Sequence, residues 1–379
     1  MAAATPPAAP EPLCEGSSTA RALPTEARAL QLLLPGEGAS QCAASGPSQG
    51  CCFADPRGLA RDFQDLSLTL CRCPAELADP VSRVMRLGPV LLRQFSDPAS
   101  GERLRRALDA AGLSASYKQQ GRLKERLQVR RCAPSEDVLS APLPDAVGEG
   151  PQPGGAPPLD EGSAVAALLG ALDALEAAAR ASFEAWCHEA GIPFEEVMRR
   201  FGDSHGAAAS EAGSKAKSVL NLYHYFNDAS CDEEPCREHA DPGLVTVLCR
   251  STNAGLQVRL PLRPGGAPGC RAVYEEAWSD VEPAMDEVGP GGEVLLAVTG
   301  ETLERLSGFN VPSCRHRVAT APGPRFNMAY ELRPRTNLWH PWATLASTSG
   351  SDGGPEAGGD TGPLVREQGA PECTEPRRG

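Results

Sequence analysis

The sequence predicts a mainly β fold, a sandwich or barrel with flanking helices and disordered ends. Three observations carry that expectation. Seven short β-branched or alternating runs lie between Ser218 and Arg333, separated by Gly, Pro and Asn, a spacing that belongs to sandwiches and barrels rather than parallel sheets. Ten of the 18 aromatic residues fall between Tyr223 and Trp342, which puts the main core there. Just upstream, Leu168, Leu172, Leu175, Ala179 and Trp186 recur at spacings that share one helical face.

The segments follow in order. Residues 1–52 are rich in Ala, Pro, Gly and Ser and contain no aromatic residue, so they are expected to be mostly disordered. Residues 53–132 read as mostly helical and include nine Lys or Arg between Arg103 and Arg131. That run reads as a solvated helical face, with an anion-binding patch as the alternative. Residues 133–163 are an acidic, Pro/Gly-rich linker without Lys or Arg up to Ala164. Residues 164–343 hold the scaffold helix, with Ser163 as its N-cap and Gly191 and Pro193 ending it. They also hold the strands, expected over Ser218–Phe226, Gly243–Cys249, Gly255–Leu262, Cys270–Tyr274, Gly292–Val298, His316–Thr320 and Arg325–Arg333. Residues 344–379 return to Gly, Ser and Pro and are expected to form a flexible tail.

Composition narrows the function classes. A chain of 379 residues with 41% hydrophobic content and a formal charge of -13 is a globular candidate without the basic balance of nucleic-acid binders. It contains no run of about 18 apolar residues and its first residues lack a signal-peptide pattern, so no membrane partner is expected. Fourteen scattered cysteines fit reduced thiols in the cytoplasm or nucleus. A small-molecule substrate is the partner this leaves.

The chemistry concentrates in the β region. His239-Ala240-Asp241 is followed 77 residues later by His316. Two imidazoles and a carboxylate on one side of a metal leave adjacent positions open for other ligands, the arrangement of non-haem iron oxygenases. The triad alone is weak, because an H-x-D arises by chance in about one of every three or four such chains. A solvent-exposed or hydrogen-bonded histidine is the plain alternative. Cys231, Cys236 and His239 could instead suggest zinc, but a structural site would need a fourth ligand and would consume His239.

Several segments in the right order are more specific than the triad. HADPGLVTVL followed by GLQVR, and GETLERLSGFNVPSCRHRV, make the sequence resemble the plant-type 2-oxoglutarate and Fe(II)-dependent dioxygenases, the family of isopenicillin N synthase and aminocyclopropane carboxylate oxidase. The resemblance covers roughly Val219 to Pro334. It implies a double-stranded β-helix (jelly roll) core, with Fe(II) held by His239, Asp241 and His316. It also implies 2-oxoglutarate as cosubstrate, with ascorbate as a further cofactor to test. Arg325-Phe326-Asn327 takes the place of the family's R-x-S motif, so Arg325 and Asn327 are implied for the distal carboxylate of 2-oxoglutarate. Tyr225, in Leu222-Tyr223-His224-Tyr225, aligns with a tyrosine that also reaches that carboxylate.

Departures accompany the matches. Asn327 replaces the usual Ser, Phe226-Asn227 replaces a Pro-Pro pair, and the stretch from Arg263 to Glu276 lengthens the interval between ligands. The expected function is oxidation, by hydroxylation or desaturation, of a small organic substrate. The alternatives are an Fe(II) oxidase of the same fold that does not use 2-oxoglutarate, and a catalytically silent jelly-roll binding module.

Overall fold

The computed structural model describes residues 56–73, 75–132, 159–203, 216–227, 233–262, 271–289, 294–335 and 342. The expected disordered ends, the linker up to residue 158 and Cys231 lie outside the described residues.

Helices come first along the chain. α1 (Pro56–Leu66) buries Leu59, Ala60 and Phe63, and α2 (Ala75–Ser96) buries Val81, Val84, Leu91, Leu92 and Phe95, each at helical spacing. α3 (Pro98–Ala110) opens on Asp97, whose carboxylate accepts the Ser100 N–H at 2.8 Å, with Pro98 in the first turn where a missing N–H costs nothing. α4 (Glu161–Glu189) is the expected scaffold helix, but its N-cap is Asp160 and not Ser163. The Asp160 carboxylate accepts the Ser163 N–H, so Ser163 is the capped residue and the helix starts inside the expected linker. By length and composition α4 could cross a membrane, and 56% of its apolar window is buried within the fold. The short α5 (Phe194–Phe201) follows.

The basic run corrects the helical reading. Only Arg103, Arg105 and Arg106 are helical; beyond them β2 (Leu113–Gln120) and β3 (Lys124–Arg131) form an antiparallel hairpin turning at Gly121, which has φ 54°. In β3, Glu125, Leu127 and Val129 are buried while the alternate Lys124, Arg126, Gln128 and Arg130 are half-buried, a period of two that the density of charge concealed. The hairpin, and β1 (Leu68–Arg72) with it, joins the sheet of the later half, so residues 56–132 are built into it.

Eight further strands complete two antiparallel sheets: β4 (Val219–Tyr225), β5 (Cys236–His239), β6 (Val245–Cys249), β7 (Leu256–Arg259), β8 (Ser279–Asp280), β9 (Val294–Thr299), β10 (Arg315–Val318) and β11 (Arg325–Leu332). The large sheet has the order β1-β9-β6-β11-β4-β3-β2 and the small one β5-β10-β7-β8. The expected strand at Cys270–Tyr274 reduces to a single bridge from Tyr274 to Pro261, and 263–270 lies outside the described residues. Since β7 and β8 pair directly, the extra length extends one hairpin and leaves the register of β7 with β10 intact. Two short helices, α6 (Glu282–Val288) and α7 (Glu301–Leu306), lie in connections that gave no helical period.

Every residue of β11 is buried, because both of its faces are covered. Phe326 faces the helices, where a side chain on Gly88 of α2 would collide with its ring. Arg325, Asn327, Ala329 and Glu331 face the other way, into a cavity between the sheets. Leu248, Leu296 and Ala329 of the large sheet join Leu256 and Val258 of the small one and Met285 of α6 in the core beside that cavity.

Candidate metal centre

His239 ends β5 and His316 lies in β10, and the two are direct cross-strand partners. Side chains opposite one another in an antiparallel pair share a face, so this register alone brings the rings together, with centroids 4.3 Å apart. Asp241 follows two residues after His239. Its Oδ1 lies 3.6 Å from His239 Nε2 and 3.8 Å from His316 Nε2. The ligand atoms of the three residues all lie within 4.8 Å of one another, and theirs is the one such His/Cys/Asp/Glu cluster among the described residues.

The turn that carries Asp241 is clamped from below. Glu301 N–H donates to the Asp241 carbonyl at 2.8 Å, Thr302 N–H to Gly243 at 3.0 Å, and Thr302 Oγ1 to the Pro242 carbonyl at 2.6 Å. Any side chain on Gly300 would run into the Gly243 and Asp241 carbonyls, so glycine is needed for this close approach. Buried Glu304 then accepts from Ser313 N–H and Oγ, tying down the segment that leads into His316.

Both imidazoles are oriented through Nδ1. That atom donates to the Arg237 carbonyl at 2.9 Å in His239 and to the Cys314 carbonyl at 3.2 Å in His316, which turns each Nε2 toward Asp241. Their protonation differs. The Cys236 sulfur beside Nδ1 pushes His239 up to about 9 despite burial, whereas burial pulls His316 below the ordinary imidazole range. Metal-free His239 therefore holds a proton at neutral pH that a metal would displace, and two imidazole nitrogens with a carboxylate then suit a divalent first-row metal with open positions. The donor set therefore fits iron.

The cavity above the triad encloses about 300 Å³. Its large-sheet wall is a grid fixed by strand register: Lys124, Tyr225 and Arg325 form one row across β3, β4 and β11, and Arg126, Tyr223 and Asn327 the next. Leu248, Leu256 and Val318 supply apolar wall. Tyr225 is buried and, through that burial, held protonated well above the usual phenol range.

The structure brings all six expected site residues to this cavity. Two are already engaged. Arg325 Nη2 donates to Glu282 Oε1 at 3.2 Å, and Glu282 also accepts from Ser251 Oγ and the Leu256 N–H. Asn327 Nδ2 donates to the Cys249 carbonyl at 2.8 Å. Glu282 had no sequence signal, nor did Thr246 and Glu331, whose Oγ1 and Oε1 are buried at the cavity without a hydrogen-bond partner. Lys118, Lys124 and Arg126 also line the cavity, and their alternation around Gly121 was the signal available for them.

No family model and no curated protein sequence matches the chain. Solved structures do match. A Neurospora crassa protein crystallised with alpha-KG and thymine is 18% identical over 74% of this chain and 80% of its own, with a TM-score of 0.46. The dioxygenase for auxin oxidation 1 from Arabidopsis thaliana, in its 2-oxoglutarate complex, is 12% identical over 76% and 92%, with a TM-score of 0.48. A dioxygenase for auxin oxidation from rice is 17% identical over 76% and 82%, with a TM-score of 0.45.

Proposed function

We propose that the chain is a non-haem Fe(II) oxygenase that uses O2 and 2-oxoglutarate to hydroxylate or desaturate a small organic substrate. In this reading the two sheets are the halves of a double-stranded β-helix. The observation that supports it most is the convergence of His239 Nε2, His316 Nε2 and the Asp241 carboxylate on one point facing the cavity that Arg325 lines.

Iron(II) held there supplies the oxygen activation that no side chain provides. The chain's own residues do the rest. His239 and His316 would offer Nε2 to the metal because each Nδ1–H is committed to a backbone carbonyl, and His239 would release its Nε2 proton as the metal binds. Asp241 adds a negative charge and fills the third protein position, which favours hydroxylation or desaturation over halide transfer. Arg325 presents its remaining donors to the distal carboxylate of the oxo acid, since Nε has no protein partner. Tyr225, kept protonated by burial, adds an O–H donor in the same row. Leu248, Leu256 and Val318 restrict water at the reacting end.

Anaerobic titration of the purified chain with Fe(II) and then 2-oxoglutarate tests this reading. The expected result is one iron per chain and a metal-to-ligand charge-transfer band on adding the oxo acid. His316→Ala should lose most of the iron while keeping the circular dichroism of the fold. Full iron occupancy in that variant overturns the metal assignment.

A second reading keeps the iron and dispenses with the oxo acid. It draws on Glu282, which already sets a carboxylate against Arg325, and on Asn327, whose amide is held by Cys249. Iron binding without a band on adding 2-oxoglutarate would favour it.

A further inference from the structure

Lys118, Lys124 and Arg126 enter the cavity wall from β2 and β3. Among the described residues none has a carboxylate within ion-pair distance. What sets these three apart is their place at the cavity; several cations elsewhere in the fold are paired. Arg131 is paired with Asp173 and Glu176, Arg250 with Asp286, Arg259 with Glu238, and Arg317 with Glu234.

Register explains why they act together. Lys118 pairs with Arg126, which pairs with Tyr223, so the three form one row on the cavity side, with Lys118 exposed at its rim. Lys124 sits in the adjoining row, its Nζ over the rings of Tyr223 and Tyr225 at 5.9 and 5.4 Å from their centroids. An ammonium over an aromatic face is aimed while it keeps its charge. Of the other charged groups lining the cavity, Arg325 is held by Glu282, Glu331 by Arg333, and Asp241 faces the two histidines. The three cations that the hairpin brings to the cavity have no carboxylate partner among the described residues.

We propose that Lys118, Lys124 and Arg126 form an anion subsite that binds the carboxylate or phosphate of a small organic substrate. The assignment of that anion to the substrate, and not to the oxo acid, rests on the proposed function. Arg325 lies on β11, two strands from Lys124 and therefore about 10 Å away at the backbone. A cavity of about 300 Å³ lies at the small end of ligand pockets, so the substrate is a small molecule and not a polymer segment.

Phenyl phosphate, phenylacetate and neutral phenylacetamide serve as probes, titrated by calorimetry into the full chain stripped of metal with EDTA. The metal-free chain makes the outcome independent of iron chemistry. The two anions are expected to bind at least about tenfold more tightly than the amide. Combining Lys118→Gln, Lys124→Gln and Arg126→Gln should abolish that preference, and Lys124→Arg with Arg126→Lys should retain it. A parallel titration of 2-oxoglutarate into the Mn(II)-loaded chain should change by less than about threefold in the triple Gln variant. Equal binding of acid and amide, or no binding of either anion, overturns the subsite. So does a loss of probe binding in Arg325→Ala that the triple variant does not share. A triple variant that loses 2-oxoglutarate affinity as fully as probe affinity assigns the cations to the oxo acid and also defeats the proposal.

Discussion

Replacing Arg325 with alanine removes two interactions at once, because the guanidinium faces the cavity and also neutralises Glu282, only 2% exposed. Stranding a buried carboxylate costs about 3–5 kcal/mol, so Arg325→Ala should unfold at markedly lower urea concentration than the parent. On the proposed function it should also raise the 2-oxoglutarate requirement at least about tenfold, the equivalent of about 1.4 kcal/mol. Adding Glu282→Gln separates the effects: the double variant should recover part of the stability and none of the affinity. Affinity that returns with stability would mean that Arg325 acts only through the fold. The contrast between these two residues also shows what the sequence could tell. Arg325 was legible because it stands at a fixed interval after His316, and the triad because H-x-D and the distal histidine sit in recognisable segments. Glu282 was not, since its partner lies 43 residues away and its own segment, SDVEPAMDEV, carries no pattern that depends on that pairing.

At the level of elements, period decided what could be read. Apolar spacing in α4 and the apolar runs of β6 and β9 survive because their residues are buried and chemically uniform, and β4 and β11 survive because apolar residues alternate with the polar ones that face the cavity. β2 and β3 were obscured because their inward face is polar: it lines a cavity instead of a core, and helix or strand cannot be told from a run of charge. β5 is only four residues long and takes its conformation from pairing with β10. The contact of α2 with β11 carries a prediction against helix propensity. Alanine is favoured over glycine inside a helix by about 1 kcal/mol, so Gly88→Ala would stabilise an isolated α2. Here its Cβ would fall on the Phe326 ring, between Arg325 and Asn327 in sequence. We expect a net loss of about 1–3 kcal/mol in urea unfolding, together with weaker 2-oxoglutarate binding as the ring displaces its neighbours. Unchanged or raised stability would show that the ring moves freely.

For the molecule as a whole, the acidic balance gave no support for a nucleic-acid partner and said nothing about where individual cations lie; strand register brings three of them to the cavity wall. The same register has a consequence for biogenesis. β11, the last strand of the described chain, occupies the middle of the large sheet between β6 and β4. Until residues 325–332 have been synthesised, β1-β9-β6 and β4-β3-β2 are two half-sheets, each with a bare inner edge. Unpaired edges invite association with other chains. The nascent protein is therefore expected to need protection from neighbours until β11 has been made, its folding completed from the inside by the strand that arrives last. A chain ending at Pro324 should sediment as aggregate, while the one ending at Arg335 should remain dispersed; a monodisperse shorter chain would mean that the half-sheets find each other without their central strand.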